Sequence, residues 1–132
     1  MKTPFITSAE AVDMEFDNRA HTWVCTPDIT NAKDLQVVRA VFEAGQYHDF
    51  HTHPELEEVI YVLDGEIEQW VDKKSRVLKK GDVAHIPPGV VHGTFNSSDS
   101  AATILAILSP GSCEGPPVVD VSDEEPWKSI RG

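Results

Sequence analysis

Four side chains that could bind a metal ion are grouped in two short stretches of this 132-residue chain. His51 and His53 are separated by one residue, and Glu58 follows shortly after them. A third histidine, His92, comes after the turn sequence Pro87-Pro88-Gly89. Three imidazoles and a carboxylate suit Fe, Mn, Ni, Co, Cu or Zn as divalent ions, so the residue types do not choose the metal. In an octahedral sphere these ligands would leave adjacent positions open for water, dioxygen or a chelating substrate.

Short strands are the elements that must bring these side chains together. Residues two apart in a strand point to the same face, so His51 and His53 aim two imidazoles into one space. Glu58 begins a strand predicted over 58–63. Asp64-Gly65 then predicts a tight hairpin to a strand over 66–71, because glycine tolerates the positive φ of such turns. His92 lies near the start of a further strand, predicted over 91–95.

The rest of the chain shows the same pattern of short apolar runs separated by turn residues. Further strands are predicted over 35–42, 76–78, 83–86 and 101–108, and around His21, Trp23 and Cys25. Eight or nine short strands without a long helix indicate an all-β sandwich or barrel. We divide the chain into an N-terminal segment (1–34) that could hold a short strand, a barrel (35–110) and a Gly/Pro/acidic tail (111–132). This tail either wraps the domain or is mobile, and Trp127 suggests that its end docks somewhere.

Composition excludes several classes of function. The net charge of −11 argues against nucleic acid or anionic lipid as partners. The longest apolar run, 103–108, is far shorter than the roughly 20 residues of a membrane helix, and the N-terminus lacks the apolar core of a signal peptide. We therefore expect a cytoplasmic protein. Cys25 and Cys113 lie far apart without a CxxC spacing, which argues against a disulfide framework and a thiolate zinc site.

The two histidine stretches resemble the two motifs of the cupin superfamily. Gly45 to Gly65 reads G-x5-H-x-H-x4-E-x6-G, and Gly81 to Asn96 reads G-x5-P-x-G-x2-H-x3-N. The short spacer is similar to that of small single-domain bacterial cupins. The resemblance implies a double-stranded β-helix (jelly-roll) barrel with a metal ion bound inside. It also implies the ligand set, which is His51, His53, Glu58 and His92.

Strand alternation gives a first description of the pocket. If Glu58 faces inward, Glu57 points to the opposite face, and Ile60 and Val62 face inward too. Gln69 and Thr94 are further pocket candidates, although Gln69 could equally be an edge residue in water. The outward residues Val59, Tyr61 and Leu63 form an apolar stripe that needs cover. Small cupins are commonly dimers, so we predict a homodimer.

The function stays open at this level. The resemblance implies a metal-dependent enzyme acting on a small organic molecule, with dioxygenase, isomerase or lyase chemistry and no cofactor besides the metal. Glu58 and His48 are the candidate acids or bases, although a solvated loop is the favoured interpretation for His48, and the direction of His85 is undetermined. The alternatives are a non-catalytic barrel that binds or senses a small molecule, and a structural protein whose metal only pins the barrel.

Overall fold

A computed structural model describes residues 2–132 and contains two antiparallel β-sheets that enclose a common core. The strands are β1 (Val12–Phe16), β2 (Arg19–Cys25), β3 (Gln36–Phe42), β4 (Tyr47–Thr52), β5 (Glu57–Asp64), β6 (Glu66–Val71), β7 (Lys74–Lys79), β8 (Val83–Ile86), β9 (His92–Phe95), β10 (Ala102–Ser109) and β11 (Val119–Asp120). A one-turn helix, α1 (Pro27–Thr30), follows β2. Among residues 2–132, no helix has the length and apolar character needed to cross a bilayer.

The strand order identifies the architecture. One sheet has the order β1-β2-β3-β10-β5-β8, and the other has the order β11-β4-β9-β6-β7. From β3 to β11, every connection passes from one sheet to the other except the one between β6 and β7. This alternation produces a double-stranded β-helix, which confirms the predicted all-β jelly-roll fold.

The turn at Gly65 differs from the prediction. Asp64 ends β5 and Glu66 begins β6, but these strands lie in different sheets, so the predicted hairpin is wrong. Gly65 has a φ of 73°, and a Cβ there would lie 2.5 Å from the carbonyl oxygen of Ala101. Only glycine fits this close crossing from sheet to sheet. The tight hairpin instead joins β6 to β7 through Asp72, whose φ is 53°.

Side chains along the strands alternate between the inner and outer faces as expected, and the inner ones form the core. On β5, Glu58, Ile60 and Val62 are buried, whereas Tyr61 on the opposite face is exposed. The same period-2 pattern runs along β10. The main apolar cluster comprises Ala40, Phe42, Ile60, Val62, Ile67, Ile86, Ala102 and Ile104. It fills the interior on one side of a cavity that lies between the sheets.

Two segments outside the central strands complete the molecule. The N-terminal hairpin, formed by β1 and β2, extends the six-stranded sheet beyond β3. The C-terminal tail pairs with β4 through β11 and then crosses the outer face of the five-stranded sheet. There Trp127 packs against Phe50, with ring centroids 5.5 Å apart, which is consistent with the docking suggested by the sequence. Arg131 forms an ion pair with Glu68 nearby.

Candidate metal centre and adjoining cavity

Three buried histidines meet inside the barrel. His51 on β4 is in register with His92 on β9, and His53 follows directly after β4. One ring nitrogen of each histidine lies within 4.8 Å of those of the other two. The exposed fractions are 4%, 7% and 1% for His51, His53 and His92, so water does not compete freely for these nitrogens. A three-histidine cluster of this kind suits a divalent metal ion.

The backbone sets the orientation of all three rings. Each Nδ1 contacts a backbone carbonyl, which can only accept a hydrogen bond, so Nδ1 carries the proton and Nε2 carries a lone pair. The acceptors are Asp49 O for His51 (2.6 Å), Pro117 O for His53 (2.7 Å) and Val90 O for His92 (3.0 Å). Fixing the outer ring nitrogen in this way is typical of histidines that bind metal through the inner one.

Glu58 adds a carboxylate to the same space. Its Oε1 lies 2.9 Å from Nε2 of His92 and 3.3 Å from Nε2 of His53. Both Glu58 Oε1 and His92 Nε2 are buried without a hydrogen-bond partner. With Nδ1 protonated, the two facing atoms are both acceptors, and such an arrangement is favourable only with a cation between them. The donor set therefore fits a metal ion. Glu57 lies on the outer face, where it contacts His85 at 2.6 Å.

The electrostatics of the cluster favour an ionised Glu58 and a neutral His51. Burial opposes ionisation of Glu58, but its close contacts with His53 and His92 outweigh burial and lower its pKa to about 2. Burial lowers the pKa of His51 well below its ordinary value. Burial also acts to lower the pKa of His53, but the contact with Glu58 prevails and raises it. In the absence of a metal, a proton on His53 would take its place as the positive charge beside Glu58.

A cavity of about 400 Å³ adjoins the histidine cluster. Of the predicted pocket residues, Ile60 and Thr94 line this cavity. Val62 and Gln69 are buried but are not part of its wall. The Gln69 amide accepts a hydrogen bond from Thr94 Oγ1 (2.6 Å) and donates one to the carbonyl of Trp70 (3.0 Å). Gln69 therefore supports the orientation of Thr94. It does not face the cavity, in contrast to its prediction as a pocket candidate.

His48 lies against the cavity, so its interpretation as a solvated loop residue is wrong. β4 begins at Tyr47, four residues before the strand piece predicted from the sequence, and it carries His48 into the barrel wall. The His48 ring stacks on that of His51, with centroids 3.7 Å apart and planes 12° apart. Burial and the nearby charge of Arg19 lower the pKa of His48 to about 2, so the imidazole is neutral.

Several cavity residues were not identified from the sequence. Arg19, His21 and Trp23 reach the cavity from β2, and Pro117 and Val118 reach it from the tail. The shared parity of His21 and Trp23 was visible in the sequence, but nothing placed that strand beside the histidine cluster. The contacts of the tail join residues far apart in the chain and have no local signature.

Comparisons with known proteins agree with this geometry. A family model described as a cupin domain matches residues 38–108, slightly more than half of the chain. A germin-like protein (subfamily 2 member 1) of Arabidopsis thaliana is 35% identical over 84 residues, which cover 60% of this chain. The match spans only 38% of that relative's own length.

Two solved structures show the same fold. An uncharacterised Klebsiella pneumoniae protein with a double-stranded β-helix domain superposes with a TM-score of 0.71 and 24% identity, covering 89% of this chain and 96% of that one. A protein of Thermotoga maritima, described as a predicted oxalate decarboxylase, gives a TM-score of 0.73 and 20% identity, covering 80% and 98%. At these identities the likeness extends to the fold alone.

Proposed function

Because the chain belongs to the cupin domain family, we propose that it is a metal-dependent enzyme acting on a small organic molecule. The observation that carries the proposal is the set of buried acceptor atoms that converge without a donor between them. In this proposal His51, His53, Glu58 and His92 hold a divalent transition metal. A bound metal would supply Lewis acidity and open coordination positions beside the cavity.

The surrounding residues would bind and orient the substrate. The apolar cavity wall would exclude water, and the Thr94 hydroxyl, held by Gln69, could orient a polar group of the substrate. His48 lines the cavity as a neutral imidazole that could hydrogen-bond to a bound molecule, and its low pKa makes it a weak base. These features are compatible with dioxygenase, isomerase or lyase chemistry.

The direct test begins with elemental analysis of protein purified without added metal. We expect close to one transition-metal ion per chain. Metal-loaded protein is then assayed for dioxygen uptake and product formation with catechols, flavonols, β-diketones and sugar acids. A metal-free protein that takes up no divalent transition metal would overturn the proposal. Full metal occupancy without turnover of any substrate would favour the alternative below.

The alternative is a non-catalytic barrel that binds or senses a small molecule. It is favoured by the largely apolar cavity, in which His48 is the one neutral base close to the metal-binding histidines within residues 2–132. The two functions differ in the fate of the ligand. A sensing module would release the bound molecule unchanged after prolonged incubation with metal and dioxygen, whereas an enzyme would release a product.

A homodimer formed through the outer face of the six-stranded sheet is a further part of the proposal. On that face Tyr61 and Val83 are 40% and 49% exposed, and they are adjacent across β5 and β8. Leu105 on β10 pairs with Tyr61 on the other side, which makes the apolar surface continuous. We expect a dimer by light scattering and a monomer after Tyr61→Glu. A wild-type monomer at micromolar concentration would contradict this. The cytoplasmic location stays a prediction.

A further inference from the structure

Arg19 is a half-buried cation in the cavity wall. It begins β2 and shares an inward face with His21 and Trp23, and all three line the same cavity as the metal-binding histidines. Its guanidinium lies over the ring of Phe16, 4.3 Å from the centroid. The aromatic ring holds the head group in place beside the turn of the N-terminal hairpin.

The hydrogen-bonding capacity of Arg19 is largely unused. Of the five N–H donors of a guanidinium, one on Nε donates to His21 Nε2 (3.0 Å) and one on Nη1 donates to Asn18 Oδ1 (2.8 Å). None of the four ion pairs found within residues 2–132 involves Arg19. Burial lowers its pKa, but arginine stays protonated in proteins. A partly buried positive charge without a counter-ion is costly, and an anion in the cavity would relieve this cost.

His21 provides a second donor beside Arg19. Because Nε2 of His21 accepts the hydrogen bond from Arg19, the proton of this neutral imidazole is on Nδ1. Burial, together with the charge of Arg19, lowers the His21 pKa to about 4, so the ring is neutral at physiological pH. That Nδ1 is buried and has no hydrogen-bond partner. The cavity wall therefore presents a charged donor and an unpartnered neutral donor from one strand.

Histidine rings lie in a row between the Arg19 end of the cavity and the metal-binding histidines. His21 lies 6.3 Å from His48 by ring centroids, and His48 lies 3.7 Å from His51. Between Arg19 and the metal-binding histidines the wall also contains aliphatic side chains, including Val38 and Ala40 on β3. A complementary ligand would carry an anionic group at the Arg19 end and a metal-binding oxygen at the other.

Arg19 and His21 lie outside residues 38–108, the part matched by the cupin family model. The histidine cluster thus belongs to the shared barrel, whereas these donors come from the N-terminal hairpin of this chain. Selectivity for a ligand can reside in such an addition while the metal chemistry is kept in the barrel.

We propose that Arg19, assisted by His21, binds a carboxylate of the ligand, so that the cavity selects small organic acids that also reach the metal. This inference rests on the proposed metal-dependent function. It specifies the substrate class and assigns the recognition of that class to the N-terminal hairpin. A planar carboxylate matches the guanidinium fork and can accept two of its free N–H groups.

The test compares acids with their uncharged amides. Protein with and without bound Mn(II) is titrated by calorimetry with glycolate, oxalate, malonate and succinate, and with glycolamide, oxamide, malonamide and succinamide. We expect at least one acid to bind about tenfold more tightly than its amide, as for a hydrogen-bonded ion pair in a partly buried site. Arg19→Gln should remove this preference, and Arg19→Lys should retain part of it, because lysine keeps the charge but not the fork.

Matched controls separate this inference from the proposed function. Arg76→Gln makes the same charge change on exposed strand β7 and should leave the preference for acids intact. Mn(II) occupancy should be equal in wild type and Arg19→Gln, and their thermal midpoints should agree within a few degrees. Protein that takes up no divalent transition metal would refute the proposed function. An Arg19-dependent acid preference in that protein would still support the inference.

Two results would overturn the inference itself, and a third would overturn its assignment to carboxylates. One is the absence of a preference for any of these acids over its amide, with or without Mn(II). The other is a preference of equal size in wild type and Arg19→Gln. Binding of inorganic phosphate more tightly than any of the acids would also contradict the assignment to carboxylates.

Discussion

Glu58 and Glu68 are two carboxylates whose pKa is held at about 2, but their surroundings differ. Glu68 lies on the outer face of the five-stranded sheet, where it accepts hydrogen bonds from Arg131 (2.8 and 3.0 Å), Trp70 Nε1 (2.6 Å) and Ser97 Oγ (2.8 Å). Glu58 lies inside the barrel, and its close polar neighbours are imidazole nitrogens whose protons point elsewhere.

The difference separates a structural carboxylate from one suited to chemistry. Glu68 has donors for its charge within the chain, and its contacts attach the C-terminal tail to the sheet. Glu58 is fully buried, and the chain provides acceptors around it where donors would be expected. A low pKa thus accompanies a completed ion pair at Glu68 and an incomplete cation site at Glu58. Substitutions at the two sites should therefore differ in their effect on metal binding.

The largest effect is expected for His92→Ala. Removing one of three converging imidazoles should weaken binding of Mn(II) or Co(II) by at least about 100-fold, because even outer-shell partners of metal ligands cost 10–100-fold. Isothermal titration of the metal-free protein measures this change. In wild type, metal at 100 times its dissociation constant should raise the free energy of unfolding by about 2.7 kcal/mol, and chelator should reverse it.

His85→Ala is the matched control for that experiment. His85 is also a histidine in contact with a glutamate, but the pair with Glu57 lies on the outer face with both side chains 54% exposed. Its removal should leave metal affinity unchanged. Unaltered metal binding by His92→Ala, or an equal loss in both variants, would show that the buried cluster is not the metal site.

A smaller effect is expected for Glu58→Gln. Metal affinity should fall by about tenfold, because a neutral amide is a poorer ligand than a carboxylate. The metal-free protein should lose about 1 kcal/mol in free energy of unfolding at pH 7, because a folded pKa of about 2 means that the ionised carboxylate stabilises the fold. Urea unfolding with and without metal separates the two effects.

Glu68→Gln provides the contrast with Glu58→Gln. It makes the same chemical change where the donors are already in place, so it should cost about 1 kcal/mol and leave metal affinity unchanged. An equal loss of metal affinity in both variants would remove the distinction between the two carboxylates.

The smallest effect concerns the response of the tail to acid. The folded pKa of Glu68, about 2, is below its ordinary value of 4.5, so its contribution is complete above pH 4.5 and is lost as the pH falls towards 2. Arg131→Met should lower the free energy of unfolding by about 1 kcal/mol at pH 7, and by less than half of that at pH 3. Urea titrations of both proteins at the two pH values measure this difference. A constant difference would mean that Arg131 acts through its packing on Phe95.

The candidate metal-binding residues could be located from the sequence because they lie in two local stretches with recognisable spacing. The inward direction of Glu58, Ile60 and Val62 could also be predicted, since it depends only on the period of a strand. The crossing at Gly65 could not be predicted from the sequence, because a positive φ after aspartate is common to hairpins and to crossings between sheets. The choice depends on β10, whose Ala101–Ala102 end approaches Gly65 from a distant part of the chain.

The residues missed from the sequence are those that reach the site through long-range contacts. Arg19 and His21 enter the cavity because β2 pairs with β3, and Pro117 meets His53 across 64 residues of chain. His48 was misplaced because the polar start of β4 has no apolar pattern, and only its pairing with β9 makes it a strand. Local spacing thus identified the metal ligands but not the surroundings that complete the site.

The contact between Pro117 and His53 also has a consequence for biosynthesis. The ribosome releases His51, His53, Glu58 and His92 before it releases the carbonyl that orients the His53 ring. A nascent barrel can therefore gather its imidazoles while one of them is still free to rotate. The proposed ion site is therefore complete only after the tail has been synthesised.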